Sequence, residues 1–326
     1  MDFSVIIPNF NGDLFLDDCL NSLFQAIKKC SQSKFEIILV DNASRDNSLK
    51  IFSQFQKKYQ NLASFKLITN PKNLGFAGGV NPGIVDSLYP WIVLVNNDLT
   101  LASNWFQIVS RNFSLIDSHT AAIYGLVLTK DGKFIESEGL DFSYSGKCNN
   151  INNGKPFCYS RESGKPSRFI WGAPASLVIY NKNTLKIVGN FDQDFFAYEE
   201  DVDVALRLFK LGHKTLYIPN AISYHLGSGT SRKMGNFRYR MDFKNWIYII
   251  IKNFSRNEIF QNLGSIIEQR LRNLSGVIKA TIHQYGIKSV YTIPKDIILL
   301  FIEIINHIPY MLSKRKIFFN LLKSTK

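Results

Sequence analysis

The chain has 326 residues, 45% of them hydrophobic, with 39 Lys and Arg against 26 Asp and Glu for a formal net charge of +13. That length and apolar content exclude a globally disordered chain and allow one large α/β domain of roughly 200 to 250 residues plus an appendage. The charge is uneven: residues 232–326 hold 17 Lys and Arg and 5 Asp and Glu, a net of +12, which leaves +1 for the rest.

In chain order, MDFSVIIPNF has an acidic residue at position 2 and a short apolar run before Pro8, so a first strand over 3–7 is expected and not a signal peptide. DLFLDDCLNSLFQAI then places Leu16, Leu20, Leu23, Phe24 and Ile27 at helical spacing. A buried strand over 35–40 stops at Asp41 and Asn42, a helix follows over 46–59, and FKLITN is a third strand. NLGFAGGVNPGI is a glycine-rich turn opening a helix, and WIVLVNND is a fourth strand. Uninterrupted apolar strands alternating with helices predict a parallel sheet covered on both faces. Ligands of such sheets bind beyond the carboxyl ends of the strands, where Asn9, Asp41, Asn42, Asn70 and residues 96–98 should converge.

Past Asn104 the pattern loosens. IYGLVLTKDGKFIESEGLDFSYSGK alternates like an antiparallel hairpin region, and CNNINNGKPFCYSRESGKPSR reads as an exposed loop. WGAPASLVIYNKNTLKIVG gives a strand and a short helix, a helix starts near Glu200, and HKTLYIPNAISYHLGSG gives a last strand. The tail carries apolar blocks at 246–251 and 297–312. The second is interrupted by Glu303, Asn306, His307 and Pro309, which argues against a clean membrane span. Basic residues beside amphipathic helices suit docking on an anionic membrane surface, and a helical subdomain with a solvated basic face is the plainer alternative. Nucleic acid is not an expected partner, because no helix-turn-helix, RNA-recognition or zinc-finger pattern accompanies the charge. Cys19, Cys30, Cys148 and Cys158 form no CxxC pair, so neither a zinc site nor a disulfide framework is expected, and a reducing cytosol is.

Four features bear on chemistry. Asp98 in VNNDLT is open to two readings, a helix N-cap or a hard-oxygen ligand for a divalent cation that bridges nucleotide phosphates. The glycines of NLGFAGGVNPG either let backbone amides approach phosphate or only permit tight packing; the segment is neither GxGxxG nor a P-loop. His225 gains weight as a ligand only beside a metal at Asp98. In FFAYEEDVDVALRL, Glu199, Asp203 and Arg207 fall at i, i+4 and i+8 and suit a solvated stripe with an ion pair, opposite a buried face of Val202, Ala205, Leu206 and Phe209. Glu200 and Asp201 point toward the crevice, and a carboxylate there can take a proton from a substrate hydroxyl.

VIIPNFNG, LVDNASRDNS, NLGFAGGVNPG, VNNDLT, WGAPA, GNFDQDFFAYEEDVDVALRLFKLGHKTLYIPNA and YHLGSG together resemble glycosyltransferase family 2, most closely its bacterial rhamnosyltransferase-type branch, over residues 1–231. The resemblance implies an α/β GT-A fold with a mostly parallel central sheet, a catalytic domain over 1–231 and a basic helical extension over 232–326. It implies a nucleotide-sugar donor (dTDP- or UDP-linked), a divalent metal (Mg2+ or Mn2+), an inverting single displacement and a glycan or lipid-linked acceptor. By position, Asp41 would hold the base, with Pro8, Asn9 and Asn11 around the nucleoside. Asn42, Asn73, Gly75, Phe76, Gly79, Asn96 and Asn97 would line the donor. Asp98 and His225 would hold the metal, Trp171 and Gly172 would border the acceptor, Asp201 would be the general base, and Glu200 would assist it or bind acceptor hydroxyls. Asn96 stands where the family's DxD motif has its first Asp, one charge fewer at the metal.

The expected role is a non-processive glycosyltransferase of surface polysaccharide synthesis, cytoplasmic and peripheral on the inner face of the membrane. A processive synthase would carry a QxxRW motif and several membrane spans, neither of which is present. A silent carbohydrate- or nucleotide-binding scaffold would have no need of Asp98, Glu200, Asp201 and His225 together.

Overall fold

The apolar runs at the start of the chain become buried strands, and the amphipathic segments between them become covering helices. The computed structural model describes residues 1–162, 165–226 and 235–325. It begins with β1 (Phe3–Asn9), α1 (Asp13–Lys28), β2 (Phe35–Asp41), α2 (Ser48–Tyr59), β3 (Ser64–Thr69), α3 (Gly75–Asp86) and β4 (Trp91–Val95). β4, β1, β2 and β3 lie side by side, all parallel, in a register that sets Asn9 opposite Asp41. β2 and β4 are buried along their whole length, as strands covered on both faces must be.

Next come β5 (Leu99–Leu101), α4 (Trp105–Arg111), β6 (Thr120–Thr129), β7 (Ile135–Ser137), β8 (Leu140–Ser143), β9 (Lys147–Asn150), α5 (Tyr159–Glu162), β10 (Arg168–Ile170), β11 (Leu177–Asn181), α6 (Lys182–Ile187), α7 (Glu200–Lys210) and β12 (Lys214–His225). The sheet continues past β4 as β11, β6, β12 and β10, with β11 antiparallel to both neighbours and β12 parallel to β6. β5 pairs with β12 and β7 with β6, while β8 and β9 form a small hairpin of their own. The Asn-rich segment after Cys148, expected as loop, therefore starts inside a strand.

The C-terminal region comprises α8 (Asn236–Asn253), α9 (Arg256–Tyr285), begun by a Ser255–Glu258 capping box, and α10 (Ile293–Ser324). It shares a hydrophobic cluster with the α7 side of the preceding α/β region: Phe195, Val202 and Leu206 pack with Phe243, Trp246 and Ile249 of α8 and with Leu300 and Ile304 of α10. Each such side chain contributes about 1.5–3 kcal/mol by burial, so α8 is part of the folded unit that presents α7. The expected boundary between residues 231 and 232, and the GSG of YHLGSG, lie outside the described residues.

The apolar block over 297–312 is not broken where its polar residues and Pro309 suggested. α10 runs through them as one 32-residue helix, long and apolar enough to cross a membrane by length and composition, with 17% of its apolar window buried. Its buried residues, Ile293, Leu300, Ile304, Met311 and Phe318, form a narrow seam.

Candidate active site

The strand-end residues converge as the topology requires. Asn9 at the end of β1 donates Nδ2 to Asp41 Oδ1 (3.0 Å) and to Ser44 Oγ (3.1 Å), and its own Oδ1 accepts from Asn97 Nδ2 (2.8 Å). Asp41 Oδ2 accepts from the Ser44 amide at 2.9 Å, so Asp41 ties β1 to the loop after β2 while each oxygen keeps a further lone pair. Asn42 donates to the Gly75 carbonyl and accepts from Asn70. Asn11, at φ 48, accepts from the Arg45 amide through Oδ1. Pro8 lies close against Gly79, which also sits beside the Asn42 amide.

The glycine run is accounted for by close approach. Gly75 has φ +72, and a Cβ there would lie 2.1 Å from the Phe196 carbonyl oxygen; at Gly83 it would lie 2.8 Å from Ile6 Cγ2. The Gly75 amide donates to Asn73 Oδ1 (2.9 Å) and the Phe76 amide to Phe196 O (2.6 Å). Two of the amides expected to approach phosphate are thus engaged within the protein, and they join the start of α3 to the loop that precedes α7.

Asp98 is not a helix N-cap, since Leu99–Leu101 is a strand. Its Oδ2 lies 3.2 Å from His225 Nε2, and His225 Nδ1 lies 2.5 Å from Glu136 Oε1. Burial opposes a charged ring, but the hydrogen bonds to Asp98 and Glu136 outweigh it and lift the His225 pKa to about 10. Asp98 Oδ1 and Asn96 Oδ1 are buried without a protein hydrogen-bond partner. The unpartnered Asp98 Oδ1, together with His225 Nε2 once its proton is displaced, offers the oxygen and nitrogen donors a divalent cation takes, and Glu136 holds the far nitrogen of the ring. Among the described residues no group of three or more His, Cys, Asp or Glu could hold a metal by itself. Glu136 was not singled out from sequence: it lies 89 residues from His225.

The carboxylates at the start of α7 divide differently from the sequence expectation. Asp203 and Arg207 form the expected i, i+4 ion pair at 2.6 Å, but it is fully buried and not solvated. Asp203 also meets Lys252 Nζ (3.0 Å) and Asn253 Nδ2 (2.7 Å) from α8. Arg207 further donates to the Asn190 carbonyl at 2.8 Å. A helix face directed at α8 needs charge partners, and α8 supplies them. Phe209, expected in the buried face, is instead exposed at 47%. Glu199 does not lie on a solvated stripe either: it lines the cavity described next, and burial, then the nearby charges of Asp242, Asp201 and Glu200, push its pKa well up.

Glu199, Glu200 and Asp201 all open onto one cavity of about 630 Å3, which Asn96 and Phe76 border from the strand-end side. Asp201 accepts from its own neighbour's amide, Val202 N, at Oδ1 (2.8 Å) and from Ala175 N at Oδ2 (3.2 Å), which fixes the carboxylate plane. Burial raises its pKa against those two bonds, and burial followed by the charge of Asp201 raises Glu200 well above the ordinary value. Pro174, Ala175 and Ser176 form one wall, and the β8–β9 hairpin contributes Asn149 and Asn150. Trp171 and Gly172 stand behind that wall: Trp171 stacks on Phe142 at 4.5 Å, and a Cβ on Gly172 would lie 2.6 Å from Ala205 Cβ.

Residues 4–136 match the family model described as glycosyl transferase family 2. The chain is 23% identical over 232 residues to a dolichyl N-acetyl-alpha-D-glucosaminyl phosphate 3-beta-D-2,3-diacetamido-2,3-dideoxy-beta-D-glucuronosyltransferase of Methanococcus voltae, covering 71% of this chain and 68% of that protein. It is 24% identical over 238 residues to an N-acetylglucosaminyl-diphospho-decaprenol L-rhamnosyltransferase of Mycobacterium tuberculosis, covering 65% of this chain and 74% of that protein. Among solved structures, a mannosyltransferase from Pyrobaculum calidifontis in complex with GDP-Man and Mn2+ superposes with a TM-score of 0.57 at 11% identity, over 99% of this chain and 86% of that one, a likeness of fold.

Proposed function

We propose that the chain is a glycosyltransferase, with a family 2 domain matched over residues 4–136 on a GT-A fold, and that it moves a sugar, rhamnose or another hexose, from a dTDP- or UDP-linked donor onto a glycan or lipid-linked acceptor during synthesis of a bacterial surface polysaccharide. The observation that carries this is that one cavity is lined both by Asn96 from the strand ends and by Glu200 and Asp201 from the start of α7. Asp41, Pro8, Asn9 and Asn11 hold the nucleoside, and Asn42, Asn73, Gly75, Phe76, Gly79, Asn96 and Asn97 shape the donor side. Asp98 and His225 would hold a divalent cation, with Glu136 fixing the imidazole, and the cation would supply positive charge to the diphosphate of the leaving nucleotide. Asp201 takes the proton of the acceptor hydroxyl, whose oxygen attacks the anomeric carbon from the face opposite the diphosphate, so the configuration inverts. Glu200 accepts from acceptor hydroxyls beside it. Trp171 and Gly172 act from behind, by setting the Pro174 to Ser176 wall against α7.

Asp98→Asn removes the carboxylate from the cation site, and Mn2+ affinity measured by electron paramagnetic resonance titration in the presence of UDP is expected to fall at least about tenfold, roughly 1.4 kcal/mol. Undiminished affinity would place the cation elsewhere.

The C-terminal helices sit on an anionic membrane surface at its cytoplasmic face. On α10, Ile298, Ile302 and Ile305 form an exposed apolar stripe at i, i+4 and i+7, with exposed Lys295 and Lys316 toward its ends. Lys314 pairs with Asp192 and Asp194, and Arg315 donates to the Ile251 carbonyl, so the helix is fastened along the catalytic unit. That fastening favours a helix lying on the membrane over one crossing it. Replacing the three isoleucines by Glu, or raising the salt, should release the protein from phosphatidylglycerol vesicles. Binding that survives both changes would contradict peripheral docking.

A further inference from the structure

The loop that delivers Glu200 and Asp201 is held in a conformation its own sequence disfavours. Phe196 (φ 62), Tyr198 (φ 68) and Glu199 (φ 65) all have left-handed backbone although none is glycine. Each such residue costs on the order of 1–3 kcal/mol and persists only where its surroundings over-determine it. The Ala197 amide donates to the Phe195 carbonyl at 2.7 Å, closing a three-residue turn around Phe196.

Much of that determination comes from one side chain far along the chain. Asn245, fully buried in α8, places Nδ2 at 3.0 Å from Phe195 O, 2.8 Å from Ala197 O and 2.7 Å from Tyr198 O. The two N–H bonds are shared among three carbonyl oxygens, and they fix the orientation of the amide, because the flipped amide would set oxygen against oxygen three times. Phe196 O, the one carbonyl of this turn that Asn245 leaves, accepts from the Phe76 amide at the start of α3. The loop is thereby clamped between α8 and the donor side of the cavity.

We propose that Asn245 is a positioning residue for glycosyl transfer: by gathering the carbonyls of Phe195, Ala197 and Tyr198 it fixes the entry to α7 and so the place of Asp201 and Glu200 in the cavity. This rests on the reading of those two carboxylates as the groups that meet the acceptor. Asn245→Asp keeps the shape and replaces the donor by acceptors, and Asn245→Ser removes the reach. Phe243→Leu, two residues away in the same helix and packed on Phe301 of α10, serves as a control that loosens the cluster α8 shares with Phe195 and leaves the Asn245 amide and its three carbonyl partners in place.

The experiment measures release of nucleoside diphosphate, with the best donor from a UDP- and dTDP-sugar panel, alongside the melting temperature. Both Asn245 variants should lose about 10- to 100-fold in kcat, the scale of an ångström-sized misplacement, with donor KM within about twofold of the wild type. Phe243→Leu should lower the melting temperature and leave kcat in place. In an Asp201→Asn background, Asn245→Asp should cost less than about twofold more, since groups that act as a unit are not additive. The proposal is overturned by a folded Asn245→Asp with wild-type kcat, by an equal fall in Phe243→Leu, by a fully additive loss in the double variant, or by failure of both Asn245 variants to fold, which would make the amide a folding determinant only. A fully active Asp201→Asn single variant would remove the base assignment alone, a result distinct from all of these.

Discussion

Asp201→Asn is expected to lower sugar transfer about 100- to 10,000-fold while donor affinity stays within about twofold, because a positioned general base contributes on that scale and the donor is held from the strand ends. The substitution is isosteric, and one oxygen of the amide can still accept from Ala175 N or Val202 N, whose bonds now fix the carboxylate. The pH dependence has a definite sign. Burial raises the Asp201 pKa, and only the ionised form accepts a proton, so transfer falls as pH drops through that raised value, at a higher pH than an exposed aspartate would give. Glu200, raised by burial and then by the charge of Asp201, makes the pair share protons, so the acid limb belongs to both. In Asp201→Asn this limb should vanish or move. Transfer and pH profile both unchanged in a folded variant would remove Asp201 from the chemistry.

Lys252→Met is expected to cost about 3 kcal/mol of stability, the lower end of what breaking a buried ion pair costs. Lys252 is buried between Asp192 Oδ2 (2.7 Å) and Asp203 Oδ2 (3.0 Å), and Met fills its volume without its charge. Asp203 keeps Arg207 and Asp192 keeps Lys314, which is why the loss stays at the lower end. Burial alone would raise the Asp203 pKa, but Arg207 and then Lys252 outweigh it and hold the carboxyl below its ordinary value. A depressed carboxylate stabilises the fold above its unfolded pKa, and that stability is lost as pH falls through the folded value. Urea melts at neutral and acidic pH should show the difference between wild type and Lys252→Met shrinking toward acid. A wild-type midpoint at neutral pH would mean that the network does not hold α8 to α7. The same network and the shared cluster of Phe195, Val202 and Leu206 with α8 mean that truncation at residue 232 would expose the underside of α7 as well as remove the helices expected to dock on the membrane.

The parts of this molecule that were legible in the sequence are those determined locally. The buried strands announced themselves as unbroken apolar runs, the strand-end asparagines and Asp41 followed from the topology of such a sheet, and α7 followed from its apolar spacing. What was not legible depends on partners far away. Asp203 and Arg207 looked solvated because Lys252, 49 residues beyond Asp203, carries no local sign that it comes back to them. Glu136 sits in a short edge strand, in a segment that only alternates, and Asn245 acts on backbone carbonyls, which leave no mark in a side-chain pattern. The glycines of α3 were visible, but that Gly75 meets protein was decided by Phe196, more than a hundred residues on.

The most direct test of the account is a thermal-shift titration of the wild-type chain against a panel of dTDP- and UDP-sugars, each with and without Mn2+. A ligand that binds only the folded state stabilises it by an amount that grows with the logarithm of its concentration. At least one nucleotide sugar is expected to raise the melting temperature in a concentration-dependent way, and to do so more strongly with the cation than without it. A melting temperature indifferent to every nucleotide sugar, with Mn2+ present and absent, would contradict a donor site at the ends of β1, β2 and β4.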